Sequence, residues 1–195
     1  MRRHLITALL HTIVTTVIFG LAYPFAVTAI AQLLFHSKAN GQLIYANGTN
    51  GQPAQLIGSH LIGQPFTAPG YFHSRPSAAG TGYDAANSSG SNLAPTNAKL
   101  ISRIAADATA LQKDSPNTDV PIDLVTTSAS GLDPDITPAA AEFQVARVAQ
   151  ARHLSEDAVR RLVTRHTSGR QLGFLGEPRV NVLDLNLDLD RLAAH

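Results

Sequence analysis

The sequence predicts a single N-terminal transmembrane helix followed by one soluble α+β domain of about three helices and a small sheet. Residues 5–35 contain no Asp, Glu, Lys or Arg, and about 20 apolar residues are enough to cross a bilayer. Later segments place apolar residues at helical spacing behind capping residues, and shorter apolar pieces lie between turn-forming residues. The 195 residues less this span leave roughly 155, the usual size of one domain. We therefore expect an anchor at residues 1–36 and a domain at residues 37–195.

The apolar run is predicted to be a retained anchor rather than a cleaved signal peptide. Ala29–Ala31 has the A-x-A form of a cleavage site, but a secretory core contains about 7 to 15 apolar residues and this run is longer. Arg2 and Arg3 precede the run, whereas only Lys38 follows it closely. The positive-inside rule then predicts a cytoplasmic N-terminus and an extracytoplasmic domain.

Small and hydroxylated residues in the anchor form a candidate contact face for other membrane helices. Thr15, Thr16 and Gly20 are of the kind that allows two helices to approach closely. The alternative is that these residues face lipid while the threonine hydroxyls bond back to their own helix. Composition does not separate the two interpretations. Farther along the span, Pro24 predicts a kink.

The first part of the domain is predicted to be mostly loop. Short strands are expected at Leu43–Tyr45, Leu56–Ser59 and Leu61–Gly63, which are apolar pieces among Gly, Asn and Gln residues. Residues 67–95 are rich in Gly, Ser, Ala, Asn and Pro and predict a long loop.

Aromatic and charged side chains within this loop are the candidate partner-binding residues. Their types are those that dominate binding energy at protein interfaces. The alternative is that the aromatic residues pin the loop to its own core and that the arginine pairs internally. The candidates are Tyr71, Phe72, His73, Arg75 and Tyr83.

The second part of the domain contains the predicted helices. The first follows an N-cap at Thr96 and carries Leu100, Ile104, Ala108 and Leu111 on one face. The second begins at Thr137-Pro138 and the third at Ser155, where a capping hydroxyl precedes the helix. Strands are expected within residues 121–127 and 180–190. The last of these has its apolar positions switch from even to odd numbers at Val182-Leu183, which predicts a bulge or bend.

Composition and motifs exclude several classes of function. Cysteine is absent, so disulfides and thiolate metal sites are excluded. Two of the 15 Lys and Arg residues precede the span, and the remainder nearly balance the 14 Asp and Glu residues. The helices around Leu154 resemble a helix-turn-helix, but an exported domain meets no duplex, and no strongly cationic field exists for one. The Gly80–Gly90 segment lacks the G-K-[ST] of a phosphate loop, and neither G-x-S-x-G nor S-x-x-K occurs. We expect no nucleic-acid partner and no catalytic residue.

Two sets of metal-ligand types are interpreted as structural. Oxygen-bearing side chains alternate along the predicted last strand, and a straight strand cannot wrap its oxygens around a cation. A solvated sheet face is favoured for them. The histidines lack any paired-ligand spacing. We therefore expect no metal and no cofactor in this chain. The two sets are Asp184, Asn186, Asp188 and Asp190, and His60, His73, His153 and His166.

Five stretches of the domain stand in a recognisable order. They are YFHSRPSAAGTGYD (71–84), SSGSNLAPTN (88–97), VPIDLVTTSASGLDPDI (120–136), QVARVAQARHL (144–154) and LGFLGEPRVNVLDLNLDLD (172–190). Together, behind one anchor, they resemble the small C subunit of the bacterial Kdp potassium-transporting P-type ATPase. The similarity covers nearly the whole chain. Ala94 and His153 stand where the family pattern leads us to expect glycine.

The resemblance implies an accessory, non-catalytic subunit of an ATP-driven potassium uptake complex in the bacterial cytoplasmic (inner) membrane. Its implied partners, besides the lipid bilayer, are a channel-like potassium-binding subunit and a P-type ATPase subunit, which handle potassium and ATP. The family is described as a catalytic chaperone that raises the ATP affinity of the ATPase subunit. A domain outside the membrane could do so only indirectly, so we expect assembly and stabilisation of the complex. The alternative is an anchored extracytoplasmic adaptor independent of a transporter.

Overall fold

The chain divides into an N-terminal helical unit, Met1–Leu43, and a second unit, Ile44–His195, that contains the remaining helices and a three-stranded sheet. The computed structural model describes residues 1–46, 55–116 and 118–193. A long apolar helix followed by several helices and small sheets confirms the predicted fold class.

The N-terminal unit is a continuous helical run that is long and apolar enough to cross a membrane. It comprises α1 (Arg2–Thr15), a π-helical turn (Thr16–Ala22) and α2 (Tyr23–Leu34), and a short α3 (His36–Ala39) follows. The run has 33 residues and no buried residue, and an 18-residue stretch within it has a mean hydropathy of 2.1. Pro24 lacks an N–H and lies in the first turn of α2, directly after the wider π turn, so the helix passes the proline without ending.

A two-stranded sheet opens the domain. It pairs β1 (Leu43–Ala46) with β2 (Gln55–Ser59), which confirms the first two predicted strands. The third prediction, a strand at Leu61–Gly63, is wrong. Ile62 makes only an isolated bridge to Ser59, because the chain turns back immediately after β2.

The core of the domain lies between three helices and a small antiparallel sheet. The strands β3 (Asp135–Ile136), β4 (Thr167–Ser168) and β5 (Arg179–Asn181) have the order β3-β5-β4. Helices α5 (Pro138–Arg152) and α6 (Glu156–His166) pack against each other. Apolar side chains at helical spacing on both helices are buried. They are Val145, Val148, Ala149, Val159, Leu162 and Val163.

Helices α5 and α6 begin where predicted, because a capping side chain bonds to a backbone N–H only three residues away. The hydroxyl of Thr137 accepts a hydrogen bond from Ala140 N at 3.1 Å, and that of Ser155 accepts one from Ala158 N at 3.2 Å. The helix α4 (Ala98–Asp114) begins one residue later than expected, because Asn97 rather than Thr96 is its cap.

The end of α5 explains the glycine that the family resemblance leads one to expect at residue 153. His153 has φ +56° and ψ +34°, the left-handed conformation in which helices commonly end. Leu154 N donates to the Ala149 carbonyl at 2.9 Å, which closes the last turn. Glycine adopts this conformation without a side-chain penalty, whereas histidine carries a modest strain.

Two further strand predictions are wrong: the one within residues 121–127, and the part of the last one that follows Asn181. Ile122–Leu124 forms a 3₁₀ turn, because the buried Asp123 carboxylate accepts hydrogen bonds from the backbone N–H and the hydroxyl of Thr137 at 2.7 and 3.2 Å. Residues after β5 form the helix α7 (Val182–Ala193). The switch of apolar positions from even to odd numbers marks the start of this helix.

Candidate functional site

The loop that carries the candidate partner-binding residues is held at its centre by two buried side-chain amides. Asn186 on α7 accepts from Phe72 N at 2.9 Å and donates to the Phe72 carbonyl at 3.0 Å. Gln144 on α5 accepts from His73 N at 2.7 Å and donates to the His73 carbonyl at 3.1 Å. Each amide bonds both the N–H and the carbonyl of one loop residue, as a neighbouring strand would. These backbone groups would otherwise be buried without a partner. We call these two residues the amide clamp.

Tyr71 connects the loop to the ends of two helices. Its hydroxyl donates to Asp190 on α7 at 3.1 Å, and the guanidinium of Arg152 on α5 stands 4.5 Å from the centroid of its ring. Arg152 also forms an ion pair with Asp190 at 2.7 Å and donates to the Gly70 carbonyl at 2.7 Å. The aromatic ring, the cation and the carboxylate therefore form one internal network.

Arg75 and Tyr83 tie the second half of the loop to the segment before β3. Arg75 forms an ion pair with Asp133 at 2.9 Å, with about a quarter of each side chain exposed. The hydroxyl of Tyr83 donates to the carbonyl of Arg75. Burial raises the pKa of Tyr83 above its ordinary value, so the phenol remains a donor throughout the physiological pH range.

The five candidate residues of the loop thus have structural contacts inside the domain. Phe72 is completely buried, and its ring belongs to the hydrophobic core. The other four, Tyr71, His73, Arg75 and Tyr83, are half-buried and retain exposed edges. These contacts agree with the alternative in which the aromatic residues hold the loop to its own core and the arginine pairs internally. Whether the exposed edges also meet a partner stays a prediction.

The side chains expected on one face of a last strand lie around the helix α7 instead. Asp184 contacts His60 at 2.8 Å and Asp188 contacts His166 at 2.8 Å, whereas Asn186 is buried in the amide clamp. In the described part of the chain, no group of three or more His, Cys, Asp or Glu side chains is arranged to hold a metal ion. The carboxylates therefore join α7 to its neighbours.

The environment of Asp188 favours its charged form. Burial alone would raise its pKa, but the hydrogen bonds and positive charge of His166 and Arg191 hold the pKa below its ordinary value. Asp188 lies 2.5 Å from Arg191 as well as 2.8 Å from His166. The stabilisation that these contacts supply is present while the carboxylate is ionised.

A cleft of about 300 Å³ lies between the loop, α4 and α5. His73, Asp107 and Arg147 provide polar atoms, and Leu111 and Phe143 provide apolar wall. Arg147 donates to Gln144 at 2.7 Å, so this cation is already hydrogen-bonded to one residue of the amide clamp.

The amide clamp was missed at the level of sequence, although a signal for it exists. Gln144 lies within the stripe of buried residues on α5, next to Val145. Asn186 lies between Leu185 and Leu189 on the buried face of α7. An amide within an apolar stripe must find partners when it is buried, and this requirement points to a polar clamp.

The candidate contact face of the anchor is open. The hydroxyl of Thr15 donates to the His11 carbonyl at 2.8 Å, and those of Thr7 and Thr12 bond back in the same way. A Cβ added at Gly20 would meet only Thr16 Cγ2, at 3.6 Å. The face can therefore accept a neighbouring helix, and such contact stays a prediction.

Comparisons with known proteins agree over nearly the whole chain. The profile of the family described as KdpC: K+-transporting ATPase, c chain, matches residues 5–191. A protein of Koribacter versatilis named Potassium-transporting ATPase KdpC subunit is 62% identical over 190 residues, which cover 97% of this chain and 95% of that protein. Proteins of the same name from Acidobacterium capsulatum and Bradyrhizobium diazoefficiens are 58% identical over 189 residues and 52% identical over 206 residues. These alignments cover 97% and 100% of this chain, and 98% and 100% of the two relatives.

Proposed function

This chain belongs to the KdpC family of potassium-transporting ATPase subunits, and we propose that this accessory subunit assembles and stabilises the complex. Its proposed partners are the channel-like potassium-binding subunit and the P-type ATPase subunit. The observation that carries this proposal is the 33-residue apolar helix, in which no residue is buried. A single span with an open small-residue face is suited to packing against the helices of other subunits.

The proposal assigns no catalysis to this chain itself. ATP hydrolysis through an aspartyl-phosphate requires a nucleotide site and a phosphorylated aspartate, and the sequence has neither a phosphate loop nor a D-K-T-G-T motif. One helix also cannot enclose a path for an ion. Potassium and ATP are therefore handled by the partner subunits.

The proposed location is the bacterial cytoplasmic (inner) membrane, with the N-terminus in the cytoplasm and the domain outside. Arg2 and Arg3 before the span support this orientation. An external domain can raise the ATP affinity of the ATPase subunit only by favouring one conformation of its partners, because ATP is bound on the cytoplasmic side. Stabilisation of the assembly is the simpler role.

Deletion of the chain tests the assembly role. We expect the other subunits to be recovered together in much lower yield from membranes that lack this chain, and plasmid-borne full-length chain should restore the yield. A truncated chain that retains residues 1–43 separates the contribution of the anchor from that of the domain. Undiminished recovery of a stable, active complex without the chain would refute the proposal.

Single cysteines test the orientation, because the natural chain contains none. Ser88 and Ser102 are exposed on different segments of the domain, so a cysteine at either position reports on the domain without relying on one local surface. A membrane-impermeant thiol reagent added to intact cells should label Ser88→Cys and Ser102→Cys and leave His4→Cys unlabelled. Protection of both domain sites until lysis would place the domain in the cytoplasm.

A further inference from the structure

The connection between β4 and β5 exposes three large apolar side chains at one narrow turn. Leu172 is 83% exposed, Phe174 68% and Leu175 47%. Isolated exposed apolar residues are ordinary, but neighbouring ones mark surfaces that bind something. We call residues 170–176 the apolar tip.

The apolar tip is held in one shape by its own backbone. Gln171 and Leu175 exchange two hydrogen bonds of 2.9 Å, and Gly173 N donates to the Arg170 carbonyl at 3.2 Å. Arg170 and Glu177 form an ion pair across its base. Leu172 has φ +51°, a left-handed conformation that is unusual for leucine. A loop that is ordered before binding loses little conformational entropy when it docks, which favours affinity.

Two arginines precede the apolar tip on the exposed face of α6. Arg161 and Arg165 are exposed and, within the described residues, neither takes part in an ion pair or side-chain hydrogen bond. Arg160 on the same helix contrasts with them, because it is engaged by Glu142 at 2.6 Å and Glu156 at 2.8 Å. The helix leads through the two residues of β4 directly into the tip, so cationic groups without internal partners adjoin the apolar residues in the chain.

We propose that the apolar tip inserts into an apolar pocket with an acidic rim on another subunit of the ATPase complex. The proposal deepens the assembly role and rests on it. Phe and Leu would fill the pocket, while Arg161 and Arg165 would face carboxylates at its edge, because charge complementarity fixes orientation at interfaces. The defined shape of the tip favours a protein pocket over the lipid surface, which demands no particular backbone conformation. Aromatic and arginine side chains are the usual centres of binding energy in such contacts.

Substitution of Leu172 separates binding from folding. Leu172→Gly removes the exposed side chain and also relieves the left-handed conformation, so the isolated chain should be at least as resistant to denaturant as the natural one. Binding of the detergent-solubilised full-length chain to complex that lacks it should nevertheless weaken by about tenfold or more. Phe174→Ser should give a similar loss. Ile122→Ser, at a residue 69% exposed elsewhere in the domain, is the matched control and should bind normally.

A fluorescent reporter distinguishes a protein pocket from lipid. An environment-sensitive dye on Gln171→Cys, the sole cysteine, should shift to shorter wavelength when the full complex forms. It should not shift when the chain alone is placed in vesicles of phosphatidylethanolamine and phosphatidylglycerol. A shift in vesicles alone that the partners do not change would overturn the proposal in favour of lipid, and absence of any shift in the complex would overturn it outright.

The deletion experiment keeps the two proposals apart. If removal of the chain abolishes assembly while Leu172→Gly and Phe174→Ser assemble and bind normally, the assembly role stands and the apolar tip is not the contact. If the complex assembles fully without the chain, the assembly role fails, and the dye in the natural complex still decides whether the tip is enclosed by protein.

The charge reversals Arg161→Glu and Arg165→Glu should weaken binding most at low salt, since screening reduces the attraction.

Discussion

Replacement of Asn186 by leucine tests whether the amide clamp holds the loop onto the core. The change removes both hydrogen bonds to Phe72, at 2.9 and 3.0 Å, and leaves a backbone N–H and a carbonyl without partners. Asn186 is 1% exposed and Phe72 is 0% exposed, so water cannot replace the lost bonds without opening the core. A buried polar group left unpaired costs about 1–3 kcal/mol.

The expected loss follows from these two groups. Together they cost about 2–6 kcal/mol, and the apolar surface that leucine buries offsets about 1 kcal/mol of this. We therefore expect the free energy of unfolding to fall by about 1–5 kcal/mol, a large share of the about 5–15 kcal/mol that stabilises a typical domain. Guanidinium denaturation of the full-length chain in detergent measures it. Tyrosine fluorescence is a suitable signal, because the chain has four tyrosines and no tryptophan.

A matched control and a coupling measurement complete the test. Gln150→Leu changes an exposed amide on α5 and should alter stability by no more than about 0.5 kcal/mol. Gln144→Leu combined with Asn186→Leu should cost less than the sum of the single changes, because the two amides hold adjacent residues of the loop, Phe72 and His73. If Asn186→Leu costs no more than Gln150→Leu, the amide clamp contributes nothing measurable to stability and the reasoning is refuted.

Four further predictions follow from single positions. Gly131→Ala should destabilise the domain by about 2 kcal/mol or more, because φ is +66° and the new Cβ would come within 2.7 Å of the backbone nitrogen of Ala79. In the same denaturation experiment Gly169→Ala is the control and should be neutral, because its new Cβ meets nothing within 4 Å. The lowered pKa of Asp188 means that its contribution is complete above the ordinary value of 3.8 and is lost as the pH falls below it. The stability difference between the natural chain and Asp188→Asn should therefore shrink on acidification, and a difference that stays constant down to about pH 2 would contradict the assignment. His153→Gly should raise the unfolding free energy by about 0.5–1 kcal/mol, since it removes the left-handed strain, and a lower midpoint would count against the cap. Gly20→Leu should weaken co-purification of the subunits without affecting the span itself, and unchanged recovery would remove this face of the anchor from the proposed contact.

Segments with local signals were predicted correctly. The caps at Thr137 and Ser155 formed because a hydroxyl reaches an N–H only three residues away, whatever the rest of the chain does. The long apolar helix was equally clear, since length and apolar composition suffice to recognise a helix that could cross a membrane. In contrast, the alternating residues after β5 suited a strand as well as a helix. Val182, Leu185 and Leu189 became a helical stripe because the core offered a place for that face.

The sequence by itself therefore determined the long apolar helix, the starts of α5 and α6 and the family, all of which depend on composition, short spacings or ordered motifs. Only the tertiary structure decided that Asn186 bonds to Phe72, 114 positions away in the chain, and that Gln144 bonds to His73, 71 positions away. It likewise decided that the loop residues taken as partner-binding candidates have internal contacts, and that Leu172 and Phe174 remain exposed. The physical reason is that burial and hydrogen-bond partners are settled between distant segments when the core closes. A local pattern shows only which side chains of a segment could be buried or could form hydrogen bonds, and not which partners they find.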